Sequence, residues 1–378
     1  MKKMIYLYAN LPSYRKDFFS KLHKELYSAG LEMCVYHGTL TDNKEVKQDT
    51  TPDYKVYSFT STTLNLGLIK LVKMAGLFKA FRRENPDAVV ISYMSTNLTM
   101  MRAALYCIRH NIPYASWRCG YSSGDYSKLS AKIRRRLISF VERHAQYVIT
   151  YGSYYKNVLV SKGIRPDRIV IAQNTINVEA IVDKNIDLVR KYEGKDTKVL
   201  FVGALIKKKN LETSIAAVER LYNEGYDISF DIVGGGEMEQ QLKEVVETKN
   251  LGNVVRLLGP KYGKDVQQCF RTHDVFLAAG LGGLAVNEAM AYGLPIISTN
   301  ADWTVCDLID GNGYFMDKYG DIEQQVTCLK EFISLTPEEK RIMSNRSLEI
   351  ICSKASLANM VSKHKEVCLK MIGYKRAD

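Results

Sequence analysis

Apolar residues recur in two alternating patterns along the first half of the chain. Short continuous runs, typical of buried strands, occur at Met4–Tyr8, Glu32–Tyr36, Ala88–Ser92, Tyr114–Trp117 and Tyr147–Thr150. Between these runs, apolar residues return every three or four positions, which is the spacing of one helix face. This spacing predicts helices over Asp17–Ala29, Gly67–Arg83, Asn97–His110, Lys128–His144 and Tyr154–Lys162.

The second half repeats the alternation. Strands are predicted at Lys198–Val202, Ser229–Val233, Val254–Leu257, Asp274–Leu277 and Pro295–Ser298, and helices at Asn210–Asn223, Glu237–Lys249, Lys264–Arg271 and Leu284–Tyr292. Residues Ser334–Met371 continue as long helical patterns without another strand. Strands that alternate with helices of this length form parallel, doubly wound sheets.

Two such runs predict an α/β protein with two doubly wound, Rossmann-like domains. The first domain is predicted over residues 1–175, and the polar stretch 176–197 is predicted to be a linker. The second domain covers residues 198–355, and residues 356–378 form a C-terminal helix. A chain of 378 residues is long enough for each domain to bury its own core.

Composition narrows the class further. The chain is 46% apolar and 25% charged, as is normal for a globular protein, and no run reaches the ~18 apolar residues of a membrane span. The first apolar run, Met4–Tyr8, is too short for a signal peptide. Eight cysteines and six histidines are scattered without metal-ligand spacing. We expect reduced thiols, a cytoplasmic location and no metal site.

The charge is strongly positive. Fifty-three Lys and Arg residues against forty-one Asp and Glu give +12, which favours anionic partners. Basic residues alternate with apolar ones at helical spacing in Leu66–Arg83 and Lys128–His144. Such helices either lie on an anionic membrane or present the solvated face of a packed helix, and the sequence leaves both open. Nucleic-acid binding is not expected, because no zinc-finger, RNP or KH-type motif is present.

Candidate chemistry is concentrated in residues 280–297, GLGGLAVNEAMAYGLPII. A strand runs into a glycine-rich turn, a helix begins near Leu284, and Glu288 lies one turn inside that helix. A helix N-terminus behind glycines offers backbone N–H groups and a positive dipole end to a phosphate. A carboxylate one turn further in can accept hydrogen bonds from ribose hydroxyls. The pattern therefore indicates a nucleotide site, and the alternative is an ordinary strand–turn–helix with a solvated Glu288.

Two further strand-end loops carry candidate residues. In KVLFVGALIKKKN, a strand is followed by Gly203 and three lysines, which can neutralise a diphosphate. The alternative is a solvated basic loop. In FDIVGGGE, residues 230–237, three glycines follow a strand. This segment lacks the full GxGxxG spacing of a dinucleotide site, so it is interpreted as a tight turn.

Taken in order, VGALIKKKN, IVGGGE and THDVFLAAGLGGLAVNEAMAYGLPII resemble the donor-binding half of the retaining family-four glycosyltransferases of the GT-B fold. The N-terminal LPSYRKDFF and the run SWRCG, VITYGS, VSKGI, AQNTIN resemble a bacterial branch that builds surface polysaccharides. The resemblance covers nearly the whole chain and is most specific over residues 198–298.

The resemblance implies two domains that face a central cleft, with the C-terminal helix returning to the first domain. It assigns Lys209 to the donor diphosphate and Glu288 to the ribose. It also implies a donor-binding set of Gly203, Lys208, Lys209, Gly282, Gly283, Leu284, Ala285 and Glu288, an acceptor-side pair of Tyr14 and Arg15, and a catalytic set of Lys209, Glu288, Arg118 and Cys119.

Three positions depart from the family pattern. The first Glu of the family's Glu–seven residues–Glu motif falls on Gly280, and the usual Arg after the strand glycine is Ala204. The family's common His in the first-domain loop aligns loosely with Cys119, whose thiol cannot replace imidazole as a hydrogen-bonding partner. Arg118, next to Cys119, can supply a cation there, although a packed or surface Arg is the alternative.

The resemblance implies a retaining, metal-independent glycosyltransferase that needs no cofactor besides its nucleotide-sugar donor. The expected acceptor is a lipid-linked or polysaccharide precursor of capsule, lipopolysaccharide or exopolysaccharide at the inner face of the plasma membrane, where the protein is peripheral. Two rivals stay open: a catalytically silent protein that binds a nucleotide sugar, and a nucleotide-sugar 2-epimerase. The sequence does not identify the donor base, the sugar or the acceptor.

Overall fold

Contacts along the chain divide it into two units. The computed structural model describes residues 1–40, 53–66, 69–92, 98–118, 129–182, 192–194, 196–299 and 303–373. The first unit contains Met1–Ile176 and Leu357–Asp378, and the second contains Asn177–Ser356. The predicted linker, 176–197, lies partly outside the described residues.

The fourteen strands form two sheets, with eight strands in the first unit and six in the second. The first unit contains β1 (Lys2–Tyr8), β2 (Leu31–Leu40), β3 (Lys55–Leu66), β4 (Ile69–Met74), β5 (Ala88–Ser92), β6 (Tyr114–Arg118), β7 (Tyr147–Thr150) and β8 (Ile169–Ile171). The second contains β9 (Thr197–Val202), β10 (Ile228–Val233), β11 (Val255–Gly259), β12 (Val275–Ala278), β13 (Ile296–Thr299) and β14 (Gly313–Met316). These counts refer to the described part of the chain.

Helices follow most of the strands. They are α1 (Lys16–Ser28), α2 (Leu77–Glu84), α3 (Leu98–Arg109), α4 (Leu129–His144), α5 (Ser153–Ser161), α6 (Leu211–Asn223), α7 (Glu239–Thr248), α8 (Lys264–Thr272), α9 (Leu284–Ala291), α10 (Ile322–Ser334), α11 (Pro337–Ser353) and α12 (Leu357–Gly373). Helix α11 begins with a capping box in which Thr336 and Glu339 satisfy each other's backbone N–H groups. No helix in the described ranges is both long and apolar enough to cross a bilayer.

The first sheet has the order β4-β3-β2-β1-β5-β6-β7-β8, and the second has the order β11-β10-β9-β12-β13-β14. All neighbouring strands are parallel except β3 and β4. The predicted pair of doubly wound α/β sheets is therefore confirmed. Strand order reverses between β1 and β5 in one sheet and between β9 and β12 in the other, and ligands of such sheets bind beyond the carboxyl ends of the strands at that point.

One predicted helix is wrong. The basic segment Leu66–Arg83 does not form a single helix, because Ile69–Met74 forms β4 and α2 begins only at Leu77. Residues 67–68 lie outside the described residues. The two lysines of IKLVKM are three positions apart, as on one face of a helix, yet the backbone of this segment pairs antiparallel with β3 from Ser61 to Leu66. Pairing with an adjacent strand therefore prevails over a helical spacing of apolar residues.

An ion pair between buried Asp231 and exposed Arg256 joins β10 to the edge strand β11 of the second sheet. The carboxylate of Asp231 on β10 accepts hydrogen bonds of 2.6 and 2.8 Å from the guanidinium of Arg256 on β11. The Nε2 of His273, directly after α8, lies 3.1 Å from the same carboxylate. Burial acts to raise the pKa of Asp231, but the hydrogen bonds from His273 and Arg256 hold that pKa below its usual value.

Candidate functional site

Two loops meet at the point where strand order reverses in the second sheet. The lysine turn, Lys207–Asn210, follows β9, and the glycine turn, Gly280–Gly283, follows β12. The N–H of Leu281 donates to the carbonyl of Lys208 over 3.0 Å. A Cβ built on Gly280 would lie 2.3 Å from that carbonyl oxygen and 2.6 Å from the Cα of Lys209. The two turns therefore pack backbone against backbone, and only glycine fits at position 280.

Lys209 bridges the two turns. Its half-buried ammonium donates hydrogen bonds to the carbonyl oxygens of Leu281 and of Gly282, the latter over 3.3 Å. The side chain also passes Gly203, whose Cβ would lie 3.9 Å from the Cε of Lys209. A Cβ on Gly283 would lie 3.9 Å from the ammonium nitrogen. The structure thus brings Gly203, Lys209 and the glycine turn together, as predicted for one site.

Helix α9 begins at this ammonium. Gly283, which precedes Leu284, has a φ of 67°, a left-handed conformation that favours glycine. The turn is fixed from behind by Val286 and Val305, whose methyl carbons would lie 2.8 and 3.2 Å from a Cβ on Gly282. The N–H groups of a helix's first turn point out of its end. The Lys209 ammonium therefore lies beside the N-terminus of α9, which is the positive end of the helix dipole. Two positive groups at one position suit a diphosphate.

Glu288 lies one turn into the same helix. It follows Leu284 by four residues, so both lie on one face of α9, while the neighbouring Asn287 and Ala289 are buried. The Glu288 side chain is half-buried, and burial raises its pKa. A partly desolvated carboxylate accepts hydrogen bonds from hydroxyl groups strongly.

The triple glycine after β10 is the tight turn that the sequence predicts. A Cβ on Gly234 would lie 1.8 Å from the carbonyl oxygen of Gly203, and Gly234 has a φ of 142°. The N–H of Leu205 donates to Gly235 over 2.9 Å. Because the loops after β9 and β10 touch through their main chains, these glycines keep the lysine turn in place.

A third loop, between β14 and α10, completes the site and was not predicted. The hydroxyl of Tyr319 donates a hydrogen bond to the carbonyl of Lys208. The N–H of Gly320 donates to the carbonyl of Ala279 over 3.2 Å, and the side-chain amide of Asn210 approaches the same oxygen at 3.5 Å. No local pattern in the sequence DKYGD indicates these contacts, because their partners lie far away along the chain.

The first unit holds the predicted acceptor-side residues. The side chain of Tyr14 is 43% exposed, whereas Arg15 is 1% exposed. The Arg15 guanidinium donates to the hydroxyl of Tyr151 over 3.0 Å and to the side-chain carbonyl of Asn174, and it stacks 5.0 Å above the ring of Trp117. The side chain of Tyr14 is therefore accessible to a ligand. Arg15 instead links residues at the ends of β6, β7 and β8.

Arg118, the last residue of β6, lies on the sheet face opposite Trp117 and Arg15. Its Nε is 3.8 Å from the carboxylate of Glu142 on α4, which also accepts a 2.5 Å hydrogen bond from the hydroxyl of Tyr155. Burial raises the pKa of Glu142 although Arg118 and Tyr155 act to lower it. Cys119, also predicted to be catalytic, lies outside the described residues.

The predicted site residues thus fall into separate groups. Gly203, Lys208, Lys209, Gly282, Gly283, Leu284, Ala285 and Glu288 belong to the second unit, and Tyr14, Arg15 and Arg118 belong to the first. Among the described residues, no three His, Cys, Asp or Glu side chains are grouped so that they could hold a metal ion.

Family profiles match both units. The profile described as Glycosyltransferase Family 4 matches residues 19–180, and the profile described as Glycosyl transferases group 1 matches residues 182–348. Together the two profiles take in most of the chain.

Individual relatives carry related names. The chain is 27% identical over 163 residues to the amylovoran biosynthesis glycosyltransferase AmsK of Erwinia amylovora, a match that covers 41% of this chain and 39% of AmsK. The chain therefore spans about two fifths of the length of that relative. It is 25% identical to the UDP-Gal:alpha-D-GlcNAc-diphosphoundecaprenol alpha-1,3-galactosyltransferase of Escherichia coli, over 94% of this chain and 92% of the relative.

Solved structures share the architecture. A glycosyltransferase from Rickettsia africae superposes with a TM-score of 0.71 at 16% identity, over 99% of this chain and 100% of the other. Anabaena Alr3699/HepE, solved in complex with UDP, superposes with a TM-score of 0.69 at 14% identity, over 98% and 100% of the two chains. The chain has two doubly wound sheets, and its lysine and glycine turns meet where strand order reverses in the second sheet. Both family profiles match it in order, so the chain belongs to the family-four glycosyltransferases of the GT-B fold.

Proposed function

We propose that this glycosyltransferase is a retaining enzyme of cell-surface glycan biosynthesis. It moves a sugar from a nucleotide-sugar donor to a lipid-linked or polysaccharide acceptor. The observation that carries the donor half of the proposal is the position of the Lys209 ammonium at the start of α9, with Glu288 one turn further along. This arrangement provides charge for a diphosphate and an acceptor for ribose hydroxyls.

The same arrangement supports the chemistry. In a front-face retaining transfer, the bond between the sugar's anomeric carbon and the diphosphate oxygen breaks. The acceptor oxygen then bonds to that carbon from the same face, and its proton passes to the departing diphosphate. Stabilisation of the leaving group is the main task of the protein, and Lys209 and the first turn of α9 can perform it. The proposal requires neither a metal ion nor a further cofactor.

The named relatives support the acceptor class. One is named for amylovoran biosynthesis, and another transfers galactose to a sugar on diphosphoundecaprenol. Their names describe the biosynthesis of amylovoran and transfer to a sugar carried on a lipid diphosphate. We extend this class to the present chain as a proposal, with the exposed Tyr14 on the acceptor side.

A lipid-borne acceptor requires access to the cytoplasmic face of the membrane. Helix α4 and the end of α5 border a groove of about 460 Å³ whose cationic lining consists of Arg135, Arg136, Arg143 and Lys162. Phe140, 39% exposed, lies in the same groove. Cationic and apolar groups side by side are typical of surfaces that contact anionic lipid. We propose that this basic groove (Arg135, Arg136, Phe140, Arg143 and Lys162) holds the protein at the inner leaflet as a peripheral protein.

Ligand-induced stabilisation tests the donor half of the proposal. The wild-type protein is heated with a panel of UDP-, GDP- and other nucleotide sugars, and a bound donor raises the melting temperature by mass action. We expect one nucleotide series to stabilise the wild type and to lose this effect in Lys209→Ala. The absence of stabilisation by every nucleotide sugar would contradict the proposal.

A silent nucleotide-sugar-binding protein is the second candidate. The observation that favours it is that the lysine turn leaves no space for a side chain at Gly280. The family pattern has a Glu at this position that contacts the transferred sugar. This candidate predicts donor stabilisation without any product from donor and acceptor.

A further inference from the structure

The loop between β14 and α10 reaches a strand end that is not its neighbour. Among the described strands, β14 pairs with β13 alone, yet residues 319 and 320 contact the turns that follow β9 and β12. The loop must therefore cross the carboxyl end of β13 to reach them. It arrives with two hydrogen bonds, from the Tyr319 hydroxyl to Lys208 and from the Gly320 N–H to Ala279.

The contact with Tyr319 falls on the peptide group that sets the position of Lys209. The Lys208 carbonyl accepts hydrogen bonds from Leu281 N–H and from the Tyr319 hydroxyl, and it is the group that lies against Gly280. The lysine turn is a single 3-10 turn that ends at Asn210 with a φ of 53°, so few contacts within the turn itself hold it. Its geometry depends on the loops around it.

Tyr319 is not a residue that packing alone requires. Its side chain is 46% exposed, so the ring buries little apolar surface, and the hydrogen bond of its hydroxyl is directed at one carbonyl. A phenol hydroxyl is protonated at neutral pH and can donate, and burial raises the pKa of Tyr319 further above its usual value. The Gly320 side of the contact leaves no spare room, because a Cβ there would lie 2.6 Å from the Asn210 amide nitrogen.

We propose that Tyr319 is a positioning residue for the transfer reaction: its hydroxyl fixes the Lys208 peptide, and through it the Lys209 ammonium, against the start of α9 where the donor diphosphate binds. This inference rests on the proposed role of Lys209 in donor binding. Tyr319 acts through Lys209 and needs no contact of its own with the nucleoside.

The test compares a nucleoside diphosphate with its nucleoside. Tyr319→Phe removes one hydroxyl and keeps the ring, and Tyr262→Phe is the matched control, because Tyr262 is 81% exposed in the loop after β11 of the same unit. Calorimetry measures the binding of UDP and of uridine, followed by GDP and guanosine if UDP does not bind. Lys209→Ala is measured alongside.

We expect Tyr319→Phe to weaken UDP binding about five-fold, the effect of losing one ordinary hydrogen bond, and to leave uridine binding unchanged. Transfer assays should show a fall in kcat/KM for the donor, and Tyr262→Phe should match the wild type. If Lys209→Ala loses UDP binding while Tyr319→Phe keeps it, the positioning role is wrong and the proposed function stands. If Tyr319→Phe weakens UDP and uridine equally, the residue is merely structural and the inference is overturned. If Lys209→Ala also binds UDP as the wild type does, the assignment of Lys209 to the donor is wrong, and the inference about Tyr319 is wrong with it.

Discussion

The carbonyl oxygen of Lys208 lies where a side chain at Gly280 would begin, 2.3 Å from the position of its Cβ. Gly280 is also the position at which the family pattern has its first Glu. The missing carboxylate is therefore linked to the close approach of the lysine turn, and restoring it alone cannot restore the family geometry.

Gly280→Ala is expected to lower the free energy of unfolding by about 1–3 kcal/mol, the cost of an extra carbon in a packed site. Gly280→Glu should in addition weaken donor binding, because the larger side chain displaces the lysine turn. Urea unfolding and donor calorimetry measure both effects. Gly252→Ala is the control, because its Cβ would meet nothing within 4 Å. If Gly280→Glu bound donor better than the wild type, the packing explanation would be wrong.

Lys209→Ala and Glu288→Gln are each expected to weaken donor binding by about 1.5–3 kcal/mol, the range for a hydrogen bond to a charged group. Each removes a proposed contact with the nucleotide and leaves the buried core untouched. Calorimetry with the donor found by the stabilisation panel measures the loss. Lys207→Ala, an exposed neighbour in the same turn, is the control and should bind as the wild type does. Unchanged donor affinity in either test variant would refute its assignment.

The pH dependence of stability should report on Asp231. Because its pKa is lowered in the folded protein, its ion pair contributes stability above the unfolded pKa of ~3.9, and this contribution is lost as pH falls through the folded pKa. Asp231→Asn should therefore cost about 1.5–3 kcal/mol of unfolding free energy near neutral pH. The difference from the wild type should shrink in acid.

Urea unfolding of both proteins across this pH range provides the measurement. Asp310→Asn, which breaks an exposed pair with Arg346 in the same unit, is the control and should change the free energy of unfolding far less, because solvent screens that pair. A penalty at Asp231 that stays constant down to strongly acidic pH would show that the lost contribution is not electrostatic.

Membrane binding should depend on α4. Replacing Arg134, Arg135 and Arg136 by Ser should reduce sedimentation with anionic vesicles, since each cation near such a surface contributes ~1 kcal/mol. Binding by the wild type should also weaken as salt rises through physiological strength. The control is Arg82→Ser with Arg83→Ser on α2, an exposed basic pair outside the basic groove, which should leave sedimentation unchanged. If the wild-type protein did not sediment with anionic vesicles at low salt, the basic groove would be ordinary solvated surface and the membrane proposal would be wrong.

The sequence predicted those features that depend on local spacing. The strands from Met4 to Tyr8 and from Ala88 to Ser92 are continuous apolar runs, and their structure follows that pattern closely. Strand β3, rich in Ser and Thr, was missed because its apolar content is low and its stability comes from neighbours on both sides. Pairing between strands is a long-range property that periodicity does not report.

The candidate site divides in the same way. Lys209 and Glu288 could be predicted, because glycines and charges next to a strand end are visible in a short stretch of sequence. The hydrogen bond of Tyr319 joins residues 111 positions apart, and the burial of Arg15 depends on Tyr151, Asn174 and Trp117. Such contacts form only when the sheets have formed, so no local sequence motif predicts them.

The most direct test of retaining glycosyl transfer is NMR analysis of the product made from the stabilising nucleotide sugar and a lipid-diphosphate acceptor. The predicted result is a new glycosidic bond with the anomeric configuration of the donor, together with release of the nucleoside diphosphate. Lys209→Ala should form that product far more slowly. A product of inverted configuration, an isomerised nucleotide sugar without transfer, or a donor that binds and remains intact would contradict it.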